Sequence, residues 1–231
     1  MTQNIITIDG PSGSGKGTIC QLLAKRFNWH LLDSGALYRV LGLAAQRHGI
    51  SSGNQDMVTK LARNLDIQFI IDSVTGEAEP ILEGENLAPY IRTDEAGQAA
   101  SEVAAIGSVR EALLARQRDF YQPPGLVADG RDMGTVVFPD APIKIFLTAS
   151  AECRAQRRFK QLKNKGVDAN MRALLESIKQ RDERDRTRPV APLVPAEGAF
   201  VVDSSDMTIE QVLAQVIDIA SKRFAGELSV G

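Results

Sequence analysis

The sequence predicts an α/β fold in which helices cover both faces of a parallel β-sheet. Short apolar runs typical of buried strands alternate with segments whose apolar residues recur at helical spacing. The chain has 231 residues, 43% hydrophobic and 24% charged, which suits a sizeable core and excludes a mostly disordered chain. At about 150 residues per domain, this length fits one domain with an insertion as well as two domains.

Five strands are predicted, at 4–9, 30–33, 126–129, 143–147 and 199–202. Helices are predicted next to them, at 16–27, 34–48, 152–165, 171–186 and 208–224. In the first helix, Ile19, Leu23 and Phe27 lie four residues apart and share one face. Regular alternation of this kind favours parallel pairing, because two parallel strands must be joined by a crossover connection, which is usually a helix.

The stretch 63–95 breaks this alternation. Short strands with a Thr75-Gly76 turn and no intervening helix predict an antiparallel insertion, forming a lobe outside the main sheet. Two further helices are predicted after it, at 93–105 and 108–121.

Charge is unevenly distributed along the chain. Residues 154–188 hold twelve basic and five acidic residues, so this segment carries +7 while the rest carries −9. A local basic region on an acidic protein indicates a small anionic ligand rather than nucleic acid. The alternative is a solvated helix surface, above all for the lysines.

Two cysteines, Cys20 and Cys153, cannot form a disulfide framework, which favours a reducing compartment. No stretch approaches the ~18 apolar residues of a membrane span. We therefore expect a cytoplasmic protein that does not bind a membrane. A monomer is expected, because no apolar stripe is left over once the core is assigned.

A glycine-rich segment directly follows the first strand and opens the first helix. It runs Gly10, Pro11, Ser12, Gly13, Ser14, Gly15, Lys16, Gly17, Thr18. In this context, glycines let backbone N–H groups converge on phosphate oxygens at a helix N-terminus, and the lysine reaches the β- and γ-phosphates. The alternative is a glycine-rich turn with an incidental lysine.

One position departs from the strict phosphate-loop pattern. Gly17 stands where Ser or Thr usually follows the lysine, which leaves Thr18 as the candidate hydroxyl for Mg²⁺. The G-K-G-T order resembles nucleoside monophosphate kinases of the adenylate kinase type. It favours a kinase over a GTPase.

Transfer to a monophosphate would need a second cationic site but no general base, because the attacking oxygen is already anionic. Arginines follow two predicted strands, in 33–39 and 129–135, at the sheet edge where α/β proteins bind ligands. Arg181, Asp185 and Arg188 share one helix face, and Pro189 ends that helix. The alternative for this group is a solvated Arg181–Asp185 salt bridge.

Four segments together resemble bacterial cytidylate kinases: GPSGSGKGT, LLDSGALYR, ADGRDMGTVVFPDAPIKIFL and RDERDRTRPVAPL. The resemblance covers about 5–217. It implies a P-loop three-layer fold with a five-stranded parallel sheet, a small antiparallel insertion and a helical lid. It also implies transfer of the γ-phosphoryl group of ATP to CMP or dCMP with Mg²⁺. A single domain would have its core at 1–62, 96–153 and 187–231, a monophosphate-binding insert at 63–95 and a lid at 154–186.

The resemblance also implies roles for individual residues. The segment from Gly10 to Thr18 would bind ATP. Catalytic roles would belong to Lys16, Arg131 and Arg188. The cytosine would contact Ser34, Ser101, Arg110 and Asp132. The acceptor phosphate would be clamped by Arg39, Arg131 and Arg188. Positions near the sugar and the lid hinge would be Arg181 and Asp185. The lid and its preceding helix would carry Arg154, Arg157 and Arg158, at least one of which would close over ATP. Mg²⁺ would meet Thr18, and Asp129 through water.

Simpler roles remain open for some of these residues. Ser101 lies in an alanine-rich helix and could be a packing residue, Arg110 could pair with an acid on its own helix, and Asp132 could cap a turn. Two other functions also remain open. One is a kinase for another acceptor, such as UMP or dTMP, and the other is an ATP-dependent P-loop switch, which would need no acceptor site.

Overall fold

The computed structural model describes residues 3–71, 78–164 and 166–224. These residues form two compact units. The first contains the described residues up to Asp33 together with those from Arg118 onward, and the second is Ser34–Gln117.

The strands, in chain order, are β1 (Ile5–Asp9), β2 (His30–Asp33), β3 (Ile67–Ile71), β4 (Ala78–Leu82), β5 (Glu85–Asn86), β6 (Leu126–Gly130), β7 (Ile143–Thr148) and β8 (Phe200–Asp203). The helices are α1 (Lys16–Phe27), α2 (Ser34–Arg47), α3 (Gln55–Arg63), α4 (Asp94–Val103), α5 (Gly107–Arg118), α6 (Ala151–Asn164), α7 (Met171–Thr187) and α8 (Ile209–Arg223). A short π-helix covers Met133–Val137.

The first unit contains a five-stranded parallel sheet in the order β2-β6-β1-β7-β8. Its central strand β1 is buried along its whole length, which suits its apolar and β-branched sequence. Asp9 pairs in register with Gly130, and Thr148 with Asp203. The strands therefore end along one edge of the sheet, and the loops that follow them begin there.

Helices complete the core of the first unit. Ile6, Ile8 and Val127 of the sheet pack in one cluster with Leu23 of α1 and Val216 of α8. The side chain of Thr208 accepts the backbone N–H of Gln211, and the side chain of Gln211 accepts the backbone N–H of Thr208. This reciprocal capping fixes where α8 begins.

The second unit combines helices with an antiparallel three-stranded sheet in the order β3-β4-β5. Close packing of α2 on α4 depends on Gly42, because a Cβ there would lie 2.9 Å from the Cβ of Ala99. The predicted Thr75-Gly76 turn lies outside the described residues.

The parallel sheet and the antiparallel insertion are confirmed, and the helices end within a few residues of their predicted limits. Two elements were missed, α3 and the π-helix. Asn54 caps α3 by accepting the N–H of Met57. Within the described parts of the chain, no helix is long and apolar enough to span a membrane.

Candidate functional site

The glycine-rich loop connects β1 to α1, as predicted. Gly10 has a φ of 150°, and a Cβ there would lie 2.0 Å from the carbonyl oxygen of Leu147. Gly15, at the N-cap of α1, is left-handed with a φ of 96°, and no side chain caps the helix. The first backbone N–H groups of α1 therefore remain available to an anion, which the helix dipole also favours.

Lys16 is the cation of this loop and is only 5% exposed. Its Nζ donates to the carbonyl oxygen of Pro11 at 2.9 Å and lies 4.0 Å from Oδ1 of Asp129. Burial and the nearby charge of Arg131 lower the pKa of Lys16 to about 8, although Asp129 opposes the shift. A buried cation without a full counter-charge is suited to receive an anionic ligand.

Oxygen donors lie next to the start of α1. Asp129 lies near the end of β6, and its Oδ2 lies 3.5 Å from the position that a Cβ of Gly17 would take. Thr18 is exposed on the first turn of α1. Carboxylate and hydroxyl oxygens are the donors that Mg²⁺ prefers. Among the described residues, no three His, Cys, Asp or Glu side chains form a metal cluster on their own, so a cation would need ligands beyond these side chains.

The segment after β6 is held by a residue that sequence reasoning missed. Asp9, the last residue of β1, accepts the backbone N–H of Met133 through Oδ1 and that of Gly134 through Oδ2, both at 2.8 Å. Burial raises the pKa of Asp9 to about 7, against the lowering effect of these two hydrogen bonds. An acidic residue ending a strand otherwise made of isoleucine and threonine was the available signal.

Arg131 joins this segment to α7. Its Nε donates to Oδ2 of Asp185 at 3.2 Å, and its Nη1 donates to the carbonyl oxygen of Gly130. Burial alone would raise the pKa of Asp185, but the charges of Arg131, Arg181 and Arg188 together lower it below its ordinary value. Three arginines thus surround one carboxylate, an excess of positive charge that favours an anion.

The structure argues against two of the simpler roles. Asp185 is buried and pairs with Arg131, so it is not merely one end of a solvated pair with Arg181. Asp132 is 2% exposed and makes no side-chain capping bond to the π-helix that it precedes.

Arg188 is also buried, and its Nε donates to the carbonyl oxygen of Ala191.

In the second unit, Arg110 is held by two groups. Its guanidinium carbon lies 5.4 Å from the ring centroid of Tyr38, and its Nη1 donates to the carbonyl oxygen of Ala104 at 3.1 Å. Both side chains are buried. Stacking on an aromatic face fixes the plane of a guanidinium and therefore its donor directions.

Other predicted residues of the second unit are also buried or bonded. Ser34 donates through Oγ to Oε1 of Gln117 at 2.8 Å, and Gln117 is 1% exposed. Ser101 is buried on α4, and Arg39 donates to the carbonyl oxygen of Ile91. Gln117 and Tyr38 were missed because their partners lie far away in sequence.

The arginines of α6 differ in what they contact. Arg157 donates to the Oγ and the carbonyl oxygen of Ser204, and Arg158 donates to Gln161. Arg154 is buried against Asp182. Its guanidinium also donates to the backbone carbonyl oxygens of Ser12 and Ala149.

Nearly the whole chain is similar to known proteins. The family model "Cytidylate kinase" matches residues 6–222. A cytidylate kinase from Aeromonas salmonicida is 60% identical over 219 residues, covering 95% of this chain and 94% of that protein. One from Colwellia psychrerythraea is 59% identical over 217 residues, covering 94% and 96%. The solved structure of TT1252 from Thermus thermophilus has a TM-score of 0.47 at 17% identity, covering 98% of this chain and 100% of that one.

Proposed function

The chain belongs to the cytidylate kinase family, and from this premise we propose that it transfers the γ-phosphoryl group of ATP to CMP or dCMP, giving CDP or dCDP and ADP. The observation that carries the proposal is a second cationic cluster, Arg131, Arg181 and Arg188 around Asp185, in addition to the phosphate loop. A nucleotide switch needs only the loop, whereas transfer between nucleotides also needs a site for the acceptor phosphate.

We assign the donor to the loop from Gly10 to Thr18. Its backbone N–H groups bind the phosphates, and Lys16 stabilises charge on the transferred group. Arg157 and Arg158 are assigned to ATP as well. Arg157 donates to Ser204 and Arg158 to Gln161, and a guanidinium can also donate to phosphate oxygens.

Mg²⁺ fits the oxygen donors beside α1. The hydroxyl of Thr18 would bind it directly and Asp129 would hold it through a water molecule, with phosphate oxygens completing the ligands. When bound, the ion neutralises charge that develops between the β- and γ-phosphates. Asp129 also lies 4.0 Å from Nζ of Lys16 and so keeps this cation oriented along the loop.

The acceptor phosphate is assigned to Arg39, Arg131 and Arg188. Because an acceptor oxygen is already anionic, the work of these residues is to hold that oxygen in line and to offset charge, with no proton to remove. Asp185 orients the guanidinium of Arg131 through the bond to Nε, and Nη2 is assigned to phosphate donation. Arg181 and Asp185 are also assigned to the sugar.

Recognition of the base is assigned to Asp132 and Arg110, with Ser34 and Ser101. Cytosine carries an amino donor at N4 and acceptors at N3 and O2, whereas uracil carries an acceptor at O4 and a donor at N3. A carboxylate only accepts and a guanidinium only donates, so Asp132 at N4 and Arg110 at N3 and O2 suit cytosine and oppose uracil. The proposal further includes 63–95 as the monophosphate-binding insert, 154–186 as the lid, and a monomer that does not bind nucleic acid and works in the cytoplasm.

A coupled assay for ADP, run with ATP and each nucleoside monophosphate in turn, tests the function. We expect turnover with CMP and dCMP, and much weaker turnover with UMP, AMP, GMP and dTMP. The Lys16→Ala variant supplies the background rate. Preferred turnover of UMP or dTMP would change the substrate, and ATP hydrolysis that no monophosphate stimulates would instead favour the switch.

A further inference from the structure

A buried ion pair connects the phosphate loop with α7. Arg154 of α6 is 3% exposed, and its guanidinium forms a two-pronged contact with the carboxylate of Asp182, including Nη1 to Oδ1 at 2.9 Å. The same Nη1 donates to the carbonyl oxygen of Ser12 at 3.0 Å, and Nε donates to that of Ala149 at 2.9 Å. Four of the five N–H groups of a guanidinium are thus directed at protein acceptors.

Arg154 also supports the loop by contact. A Cβ at Gly13 would lie 3.3 Å from the Cβ of Arg154, so the loop runs directly against the stem of this side chain. A cavity of about 610 Å³ lies beside the pair, with Pro11 on its loop side and Glu183 and Arg186 on its α7 side. Arg154 lies in the wall of this cavity and bonds both the loop and α7, which the unfilled cavity itself does not connect.

A contribution to stability alone does not explain why this ion pair is buried. Replacing a buried ion pair with well-packed apolar residues often leaves stability unchanged or improves it, because both charges must lose their water. An apolar contact, however, could not direct three sets of hydrogen bonds from one planar group. What the ion pair adds is a defined position of Ser12 relative to Asp182.

Asp182 lies on the same helix as two residues assigned to the sugar of the acceptor. Its neighbours on α7 include Arg181 and Asp185, and Asp185 holds Arg131. The group that fixes the donor loop therefore also fixes the helix that carries Arg181 and Asp185.

We propose that Arg154 and Asp182 are positioning residues for phosphoryl transfer, which hold the phosphate loop and α7 in the relative arrangement that the transfer needs. The proposal rests on the function proposed above. It assigns Arg154 no contact with ATP. Small errors in position cost more in the transition state than in the ground state, so the effect is expected in kcat.

The test compares conservative variants of the pair with an exposed ion pair on the same two helices. Arg154→Lys keeps the charge but loses the planar fork, and Asp182→Asn keeps the shape but loses the charge. The matched controls are Glu152→Gln and Lys179→Gln, whose side chains are 60% and 53% exposed and pair at 3.3 Å. For each variant, kcat and KM for ATP are measured at saturating CMP, together with the melting temperature.

We expect both variants of the buried pair to lower kcat by at least about tenfold while KM for ATP stays within about threefold. Both controls should stay within about twofold of the parent in each constant, as exposed pairs contribute little. If Arg154 instead bound phosphate, Asp182→Asn would leave kcat intact or raise it, since it removes a repelling carboxylate, and the proposal would be overturned. Parental kcat in folded Arg154→Lys would overturn it as well.

The activity of the parent protein with CMP distinguishes a failure of this proposal from a failure of the proposed function. If the parent does not phosphorylate CMP, the proposed function fails by that result alone. The same variants are then compared by their basal hydrolysis of ATP, which needs no nucleotide acceptor. An equal rate in parent, pair variants and controls would remove the positioning role.

Discussion

Two loops of the first unit follow neighbouring strands and work by different means. The loop after β1 uses its backbone: Gly10 and Gly15 adopt conformations or close contacts that side chains exclude, and the start of α1 offers N–H groups. The segment after β6 uses side chains, Arg131 and Asp132, and its backbone is held from outside by Asp9. A backbone site requires particular residue types within the loop, whereas a side-chain site depends on partners elsewhere in the chain.

The largest expected effect is in the loop after β1. Lys16→Ala removes the one buried cation of the loop, and loss of a preorganised electrostatic donor typically lowers kcat by ~10²–10³. Steady-state kinetics at saturating ATP and CMP measure this loss. Lys25→Ala, an exposed lysine of the same helix, serves as the control and should match the parent. A folded Lys16→Ala protein within tenfold of the parental kcat would show that the backbone alone suffices.

The next effect concerns selectivity in the segment after β6. Two mismatched polar contacts, each costing about 1–3 kcal/mol, predict a preference for CMP over UMP of roughly a hundredfold or more in kcat/KM. Asp132→Ala should reduce this ratio strongly, by lowering kcat/KM for CMP far more than for UMP. Asp140→Ala, an exposed acid beyond the same segment, is the matched control. An unchanged ratio in a protein with the parental melting temperature would exclude Asp132 from base recognition.

A third effect follows from the pKa of Lys16, which burial lowers to about 8. Lys16 is charged below that pH and neutral above it, so kcat/KM for ATP should fall about tenfold per pH unit above it. The decline in kcat should begin at higher pH, because bound phosphate favours the charged lysine. Lys16→Arg should abolish the decline in kcat/KM, since a guanidinium stays protonated. A flat profile well above pH 8 in the parent would contradict the assignment.

The smallest expected effect concerns two glycines, one in each loop, that are required for different reasons. Gly134 is required by packing: a Cβ there would lie 3.0 Å from Oγ1 of Thr7 and 3.2 Å from the Cβ of Ala196. Gly15 is required by its positive φ, with open space around it. Either glycine replaced by alanine should cost about 1–3 kcal/mol of unfolding free energy.

Asparagine distinguishes the two positions. It tolerates the left-handed region, so Gly15→Asn should be milder than Gly15→Ala, whereas Gly134→Asn should be worse than Gly134→Ala. Chemical denaturation gives both comparisons. If asparagine were milder than alanine at both positions, or worse at both, one cause would dominate in both loops. The two glycines would then not be required for different reasons.

The sequence was informative wherever local chemistry decides the structure. The alternation of strands and helices, the loop from Gly10 to Thr18 and the antiparallel insertion could all be predicted from short stretches. The anchor of the segment after β6 could not, because Asp9 and its partner Met133 lie 124 positions apart. For the same reason, the stacking of Arg110 on Tyr38 and the burial of Arg154 against Asp182 required the folded chain. Both were open to other interpretations in the sequence alone.

Through Asp9, folding of this protein is coupled to the uptake of a proton between about pH 4 and pH 7. In the unfolded chain its carboxyl would have an ordinary pKa of 3.8, whereas the folded environment raises the pKa to about 7. Between these values the folded form binds a proton that the unfolded form has released, so folding takes up protons from solution. The contribution of Asp9 to stability therefore declines as pH rises from about 4 to about 7 and is constant above that. Asp9→Asn should flatten this part of the stability profile, and unfolding calorimetry in buffers of different ionisation enthalpy should measure the proton directly.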